Sequence, residues 1–519
     1  MFGRLAVASL LAIAQGTVAA PHTASRQPFA MRTAHVRVTE GSNYLGPEPC
    51  SDYLDQKKAY DVPDAYGGRN PLAVCGYTPE QLRGAYGVDG SGLSGAGVTV
   101  AVVDAYASPT MLADANRYSA NHGEPPLRPG QYREVAPASF HHLTDGVCEA
   151  PSSWAVEEAL DVEAVHAMAP KANIVYVAAA SCDDVDLMAA LRSVVDGRLA
   201  SIVSDSWGGI PHSVYGDEDP STMAAYTALF RRGGSQGISF LFASGDCGAQ
   251  DPATDCDTGA SRPQTEYPAE DPWVTAVGGT SLGVGPFDDY IGETGWGDRR
   301  SLLVPNGANG QTGAAGATWT PLPGGYRFGA GGGTSEDVPQ PAYQKGVVPD
   351  ALTRTLLTGA KAAQPMRVLP DVAMAADPMT GFLVGVSETH SGGSFGYGES
   401  AVGGTSLATP LFAGMQALAQ QSAGHPLGFL NPALYAKAGT AALHDVTATS
   451  LNTVSSMDVP TRRPGEPLLS VVDLGVDSTG RHQARLYQLG DDGPLAAAPG
   501  YDDVTGVGSP TKAYLHSWR

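Results

Sequence analysis

A continuous apolar run, Gly97-Val98-Thr99-Val100-Ala101-Val102-Val103, ends on the acid Asp104. With no polar alternation it has no wet face, so it belongs to a strand covered on both sides, as in a parallel sheet. Runs of the same kind occupy Asn173 to Ala178, Ser201 to Val203 and Ile238 to Ala243. Helical patterns cover Ser108 to His122, Ser153 to Met168, Asp184 to Val195, Ser221 to Arg232 and Thr405 to Gln421. This alternation predicts an α/β fold: a doubly wound domain with a mainly parallel central sheet and helices on both faces. In such sheets function gathers at the carboxyl ends of the strands. Thr78-Pro79-Glu80 opens a helix at the start of this texture, with Thr as cap and Pro in the first turn. Residues 283–336, rich in Gly, Pro, Trp and Thr, read as long loops, and 448–497 as a separate variable insertion of strands and turns.

Of 519 residues, 42% are hydrophobic and 16% charged, which suits a large folded core rather than disorder. The net charge of −22 leaves no basic stripe for nucleic acid. Such an acidic balance serves solubility, or life at low pH where carboxylates are protonated. Residues 1–20 read as a signal peptide: Arg4 is the positive start, Leu5 to Ala14 the apolar stretch, and Thr17 to Ala20 the small-residue cleavage region. No later stretch is apolar enough to span a bilayer. The expectation is therefore a soluble, secreted monomer with neither membrane nor nucleic-acid partners. Residues 21–75 read as a short propeptide or N-terminal arm, cut near residues 70–77. Six cysteines fit an oxidising compartment. Their pairing is open from sequence, although proximity favours Cys50 with Cys75, Cys148 with Cys182 and Cys247 with Cys256.

Helical spacing puts Glu157, Leu160, Asp161, Ala164 and Met168 on one face, with Glu158, Glu163 and His166 elsewhere. Two carboxylates one turn apart inside an apolar stripe are costly unless a proton is shared between them. Sharing would suit a base and its partner. Periodicity alone leaves open a solvated acidic face. Gly-Thr-Ser occurs three times, ending at Ser281, Ser335 and Ser406, and only Ser406 runs on into a helical pattern. A serine at a helix N-terminus has free backbone N–H groups and the helix dipole beside it, which suit a developing anion. A plain capping serine gives the same pattern. Pro410 is read as part of the first turn. Asp246 follows the strand Phe240 to Ala243 in a Ser-Gly-Asp turn, where it is either a functional acid or a turn cap.

Four segments together resemble the sedolisin family of serine-carboxyl peptidases: Glu157-Glu158-Ala159-Leu160-Asp161, Ser204-Asp205-Ser206-Trp207-Gly208, Ser244-Gly245-Asp246, and Gly403-Gly404-Thr405-Ser406-Leu407-Ala408-Thr409-Pro410. Their order and spacing match too, from about Tyr77 to the C-terminus. The resemblance implies a subtilisin-like fold and an endopeptidase acting on proteins or peptides at acidic pH. In it Ser406 is the nucleophile, Glu157 its base, Asp161 the partner of Glu157, and Asp246 a protonated donor in the oxyanion hole. Ser204, Ser206, Trp207 and Gly208 would bind the substrate backbone as an added strand. It also implies one structural calcium ion, held by the carboxylates of Asp445 and Asp502 and the carbonyls of Val446, Ala498 and Gly500. The chain departs from the family in three places. The segment before the catalytic domain is short, Cys247 follows Asp246 where serine is common, and the stretch from Thr447 to Ala498 is long.

Rival readings are weaker. An Asp/His/Ser subtilase would use Asp104 and Ser406, but no His-Gly-x-His segment supplies its base. His166 lies off the Glu157 face, and His141-His142 falls in a loop. A metal hydrolase built on Glu157, Asp161 and Asp246 lacks nearby histidine. A catalytically silent binding protein would have lost one of the four candidate residues, and all are present. Tripeptidyl-peptidase activity is not separable from endopeptidase activity by sequence.

Overall fold

The computed structural model describes residues 50–145, 148, 151–213, 216–250, 256, 262–304, 317–389, 395–448, 469–475 and 483–518. The expected signal peptide, residues 21–49 of the arm, and 449–468 and 476–482 of the expected insertion lie outside them.

The apolar runs form the strands that their lack of alternation predicts. They are β1 (Thr99–Ala105), β3 (Asn173–Ala179), β4 (Ile202–Asp205) and β5 (Ser239–Ala243), joined by β2 (Tyr132–Val135), β6 (Thr275–Val284) and β7 (Tyr290–Gly295), which no predicted run covers. Further on come β8 (Gly297–Val304), β9 (Thr318–Gly329), β10 (Val372–Ala375), β11 (Leu469–Asp473) and β12 (Arg485–Leu489). The central sheet has eight strands in the order β10-β6-β5-β4-β1-β3-β2, with β7 beside β6. All its pairings are parallel except β6 with β7.

The helices are α1 (Pro79–Ala85), α2 (Met111–Asn121), α3 (Pro151–Met168), α4 (Asp184–Gly197), α5 (Pro220–Ser235) and α6 (Thr405–Ala423). Alternate strand residues serve the two faces of the sheet. Val100, Val102, Ile174 and Leu241 pack in one core with α3 and α6. Ala101, Val103, Val175 and Phe242 pack in the other with α4 and α5. At α1 the expected cap forms: Thr78 Oγ1 accepts from Gln81 N, and Thr78 N donates to Gln81 Oε1. No helix among the described residues is long and apolar enough to cross a membrane.

Two readings are corrected. Residues 283–336 are not simply loops, since β7, β8 and β9 lie within them. Nor is the stretch 448–497 separate. Its strands β11 and β12 join the earlier hairpin in a four-stranded antiparallel sheet of order β9-β8-β12-β11. The partners lie more than a hundred residues apart in sequence, so no local pattern announces the pairing. The cysteines pair as proximity favours: Cys50–Cys75, Cys148–Cys182 and Cys247–Cys256.

Candidate active site

Helix α3 is not amphipathic. Every residue from Val156 to Met168 is buried, so its polar side chains all need internal partners. Glu158 accepts from Ser108 N (2.6 Å) and Tyr132 Oη (3.1 Å), Glu163 from Gly385 N (2.9 Å), and His166 Nε2 lies 2.8 Å from Pro125 O. Those three residues were set apart from Glu157 and Asp161 by periodicity alone. The helix is in fact enclosed all round, because α6 covers it on one side and the central sheet on another. The two helices approach closely: a methyl on Gly414 would lie 2.5 Å from Met168 Cβ. That contact joins the C-terminal end of α3 to the middle of α6.

Ser406 is the second residue of α6, and Gly404 precedes the helix with φ +114°. Pro410 sits in the second turn, not the first. It has no N–H to give the carbonyl one turn back, which is that of Ser406. Ser206 uses this opening. Its hydroxyl lies 3.3 Å from Ser406 O and 2.9 Å from both oxygens of Asp161. One side chain thus ties the acid of α3 to the backbone of the candidate nucleophile. Ser406 Oγ itself has no hydrogen-bond partner among the described residues.

Asp246 reaches the same point from the end of β5. Its Oδ1 accepts from Thr405 N (2.7 Å) and lies 2.8 Å from Thr405 Oγ1. Its Oδ2 rests over Gly404, where a Cβ would come within 2.7 Å. The Asp246 backbone is held as well. Gly329 N at the end of β9 donates to Asp246 O (3.0 Å), and Gly248 N donates to Gly329 O (2.7 Å). The Cys247–Cys256 disulfide closes the turn on its other side. Asp161, Asp246 and Ser406 are therefore gathered at one place from α3, the β5 turn and α6; Glu157 lies one turn before Asp161 on α3, close enough for its charge to raise that acid, and all four are buried.

Asp104 is a neighbour that the sequence reading reserved for the rival subtilase. It is the last residue but one of β1, is fully buried, and neither oxygen has a hydrogen-bond partner among the described residues. Burial pushes its carboxyl up to about 8. Asp161 is pushed well above the usual range, first by burial and then by the charges of Asp104 and Glu157, while Ser206 opposes the rise. Asp205 is buried alongside and raised by burial and by Asp104. An acid closing a buried strand was the signal available for Asp104, but its neighbour on α3 was not readable.

Of the expected substrate strand, Ser204 is already used. As part of a central strand it pairs with Val102 on one side and Leu241 on the other. The Ser206 side chain is turned to Asp161, and Trp207 Nε1 donates to Val103 O (2.9 Å). Gly209 pairs with Tyr267 through two bonds of 2.7 Å. Any added strand is therefore limited to the backbone of 206–208. The histidines are engaged elsewhere: His141 with Asp186, and His142 with Asp145 and Asp183.

Two of the expected calcium-ligand segments, around Asp445 and at 498–502, meet in a different region. Asp445 accepts from Gly500 N (2.9 Å), and Asp502 from Ala498 N (3.2 Å), Val504 N and Thr505 N. The carbonyls of Val446, Ala498 and Gly500 accept no hydrogen bond among the described residues. Two carboxylates and three unclaimed carbonyls form an all-oxygen donor set, which fits a hard cation.

A family model described as the subtilase family matches residues 148–463. The chain belongs to the subtilase family. This subtilase is 30% identical over 441 residues to kumamolisin of Bacillus sp. (strain MN-32), covering 84% of this chain and 62% of that one. It is 26% identical over 407 residues to xanthomonalisin of Xanthomonas sp. (strain T-22), covering 74% and 43%. It is 28% identical over 312 residues to tripeptidyl-peptidase 1 of Homo sapiens, covering 58% and 41%. The chain thus spans less than two thirds of the length of each of these relatives. Among solved structures, Pseudomonas sedolisin (serine-carboxyl proteinase) complexed with two molecules of pseudo-iodotyrostatin superposes with a TM-score of 0.59 at 21% identity, over 85% of this chain and 97% of that one. That match is one of fold. The sedolisin resemblance read from the motifs and the subtilisin-like α/β fold are both borne out.

Proposed function

We propose that this subtilase is a secreted serine-carboxyl endopeptidase that cleaves peptide bonds at acidic pH. One observation carries the reading. The acids of α3 and of the β5 turn are each hydrogen-bonded to the first two residues of α6, through Ser206 to Ser406 and directly to Thr405. Glu157 takes the Ser406 proton as Oγ attacks the scissile carbonyl. Asp161, protonated, holds Glu157 by hydrogen bonding and favours its ionised form. With Oδ1 occupied by Thr405, Asp246 presents Oδ2 as a carboxylic acid donor to the tetrahedral oxyanion. Glu157 then returns the proton to the leaving amine, and a water repeats the cycle on the acyl-enzyme. A carboxylate base and two carboxylic acids coexist only in acid, hence the acidic optimum. The backbone of Ser206 to Gly208 receives the substrate as an added strand.

Asp445, Asp502 and the carbonyls of Val446, Ala498 and Gly500 would hold a calcium ion, which would tie the C-terminal loop to the 445–446 segment and supply structure rather than chemistry. Three disulfides support an extracellular location. The similarity to tripeptidyl-peptidase 1 supports a second reading, release of tripeptides from N-termini.

The test is incubation of native protein and Ser406→Ala at about pH 4 with a denatured protein, followed by mass spectrometry of the products. Internal cleavage by the native form alone is expected. Products that are tripeptides throughout would favour the second reading. No cleavage by a folded native protein would leave a silent binding protein.

A further inference from the structure

The turn that carries Asp246 is fastened along one edge by backbone hydrogen bonds. Ser244 N donates to Val277 O (3.1 Å), Gly331 N to Gly245 O (2.6 Å), Gly329 N to Asp246 O (3.0 Å) and Gly248 N to Gly329 O (2.7 Å). A covalent tie acts on the same residues, since Cys247 is bonded to Cys256. Cys256 Sγ lies 3.9 Å from Asp246 O, the carbonyl that accepts from Gly329 N. The disulfide therefore packs against the peptide of the proposed oxyanion donor itself. Asp246, Cys247 and Cys256 are all buried.

The far end of the tie is also fixed. Gln264 N donates to Ala249 O (3.0 Å), and the Gln264 side chain exchanges hydrogen bonds with the backbone of His212 (2.9 and 2.8 Å). Cys256 has φ +58°, in the left-handed region that residues with a β-carbon rarely occupy. Such backbone persists where the surrounding structure enforces it, and it collects at functional sites. For the fold as a whole the bridge does little. It spans a sequence separation of 9, against 25 for Cys50–Cys75 and 34 for Cys148–Cys182. Closing a short loop removes the least freedom from the unfolded chain, so of the three this bridge adds least to global stability. What it restrains in the folded chain is the peptide that joins Asp246 to Cys247.

We infer that the Cys247–Cys256 bridge is a positioning element for the oxyanion donor, holding the Asp246 peptide against Gly329 so that Oδ2 stays over Gly404. The inference rests on the peptidase reading above. The test compares native protein with Cys247→Ala/Cys256→Ala and with Cys50→Ala/Cys75→Ala, which removes a tie of longer span in the arm. Steady-state kinetics on one quenched peptide at the acidic optimum gives kcat and KM, and a peptide aldehyde gives a binding readout of the same donor. The aldehyde carbon bonds to Ser406 Oγ, the serine proton passes to Glu157, and the new oxyanion lies at Asp246 Oδ2. Loss of the 247–256 bridge should lower kcat about tenfold and weaken aldehyde binding by a similar factor, with KM changed less than about threefold. Loss of the 50–75 bridge should lower the melting temperature more and leave kcat within about twofold of native. If the alanine pair at 247 and 256 does not fold, Cys247→Val/Cys256→Ala refills the buried volume and carries the same test. Native kcat and aldehyde affinity without the 247–256 bridge, or equal losses in both variants, overturns this inference alone. Failure of the native protein to cut the peptide overturns the peptidase reading and this inference with it.

Discussion

Gly404 and Ser206 make the site geometry possible, for opposite reasons. Gly404 contributes by what it lacks. Its φ of +114° is one that side chains rarely adopt, and its bare α-carbon makes room for Asp246 Oδ2. Gly404→Ala should therefore displace Asp246 Oδ2, the proposed oxyanion donor. The expected outcome is a fall in kcat of about a hundredfold with a smaller change in KM, measured by steady-state kinetics at the acidic optimum. Equal kcat in the variant would show that Oδ2 is not the donor. Ser206 contributes by its hydroxyl, which joins Asp161 to a carbonyl that Pro410 leaves open. Both residues stood in recognisable motifs, yet neither role was legible there. A motif records which residue is present, while a hydrogen bond depends on what packs opposite.

At the scale of elements, three segments distant in sequence assemble beside the catalytic core. Strand β8 pairs with β9 on one side and β12 on the other, β12 pairs with β11, and the arm lies along β11. Ala73 N donates to Val472 O (2.9 Å) and Val472 N to Pro71 O (2.8 Å). Val74 N donates to Met379 O, and Ala73 and Val74 are fully buried. This sheet reaches the active site through Gly329, which bonds both Asp246 and Gly248. A maturation cut at residues 70–77 would sever buried strand-like chain and expose the edge of β11. The active form is expected to begin before Cys50 and to remain a single chain across 50–77. Intact mass measurement after reduction checks this, and a fragment starting at residues 70–77 would contradict it.

Across the whole molecule, acids buried away from water set the pH response. Burial pushes Asp104 up to about 8, Asp184 and Glu270 up to about 7, and Asp271 and Asp377 up to about 6. An unfolded chain releases these protons near pH 4. Above that pH the folded chain holds protons that the unfolded chain has lost, so stability falls as pH rises. Their contribution is fully present below about pH 4 and is lost progressively up to about pH 8. Glu399 opposes the trend: burial alone would raise it, but hydrogen bonds from His122, Asn121 and Tyr397 hold it down at about 2. The net charge of −22 adds self-repulsion at neutral pH. The melting temperature should fall by about 10 °C between pH 4 and pH 8, and a calcium chelator should lower it further at either pH. Calorimetry at a fixed scan rate measures both, and a melting temperature that rises with pH would contradict the account.

Local pattern was enough for the sheet and its helices. Apolar runs without alternation predicted β1, β3, β4 and β5, and helical spacing predicted α2 to α6 to within a few residues. Ser406 was separable from Ser281 and Ser335 because only it heads a helix, a property of neighbouring residues. Those features depend on contacts close in sequence, which periodicity and caps record. Tertiary structure decided the rest: the enclosure of α3 on every side, Asp104 beside Asp161, Ser206 turned from substrate to acid, and the sheet built from 297–329 and 469–489. These are pairings across tens to hundreds of residues. A sequence states which side chains seek burial or a partner, and only the folded chain brings a particular partner within hydrogen-bond reach.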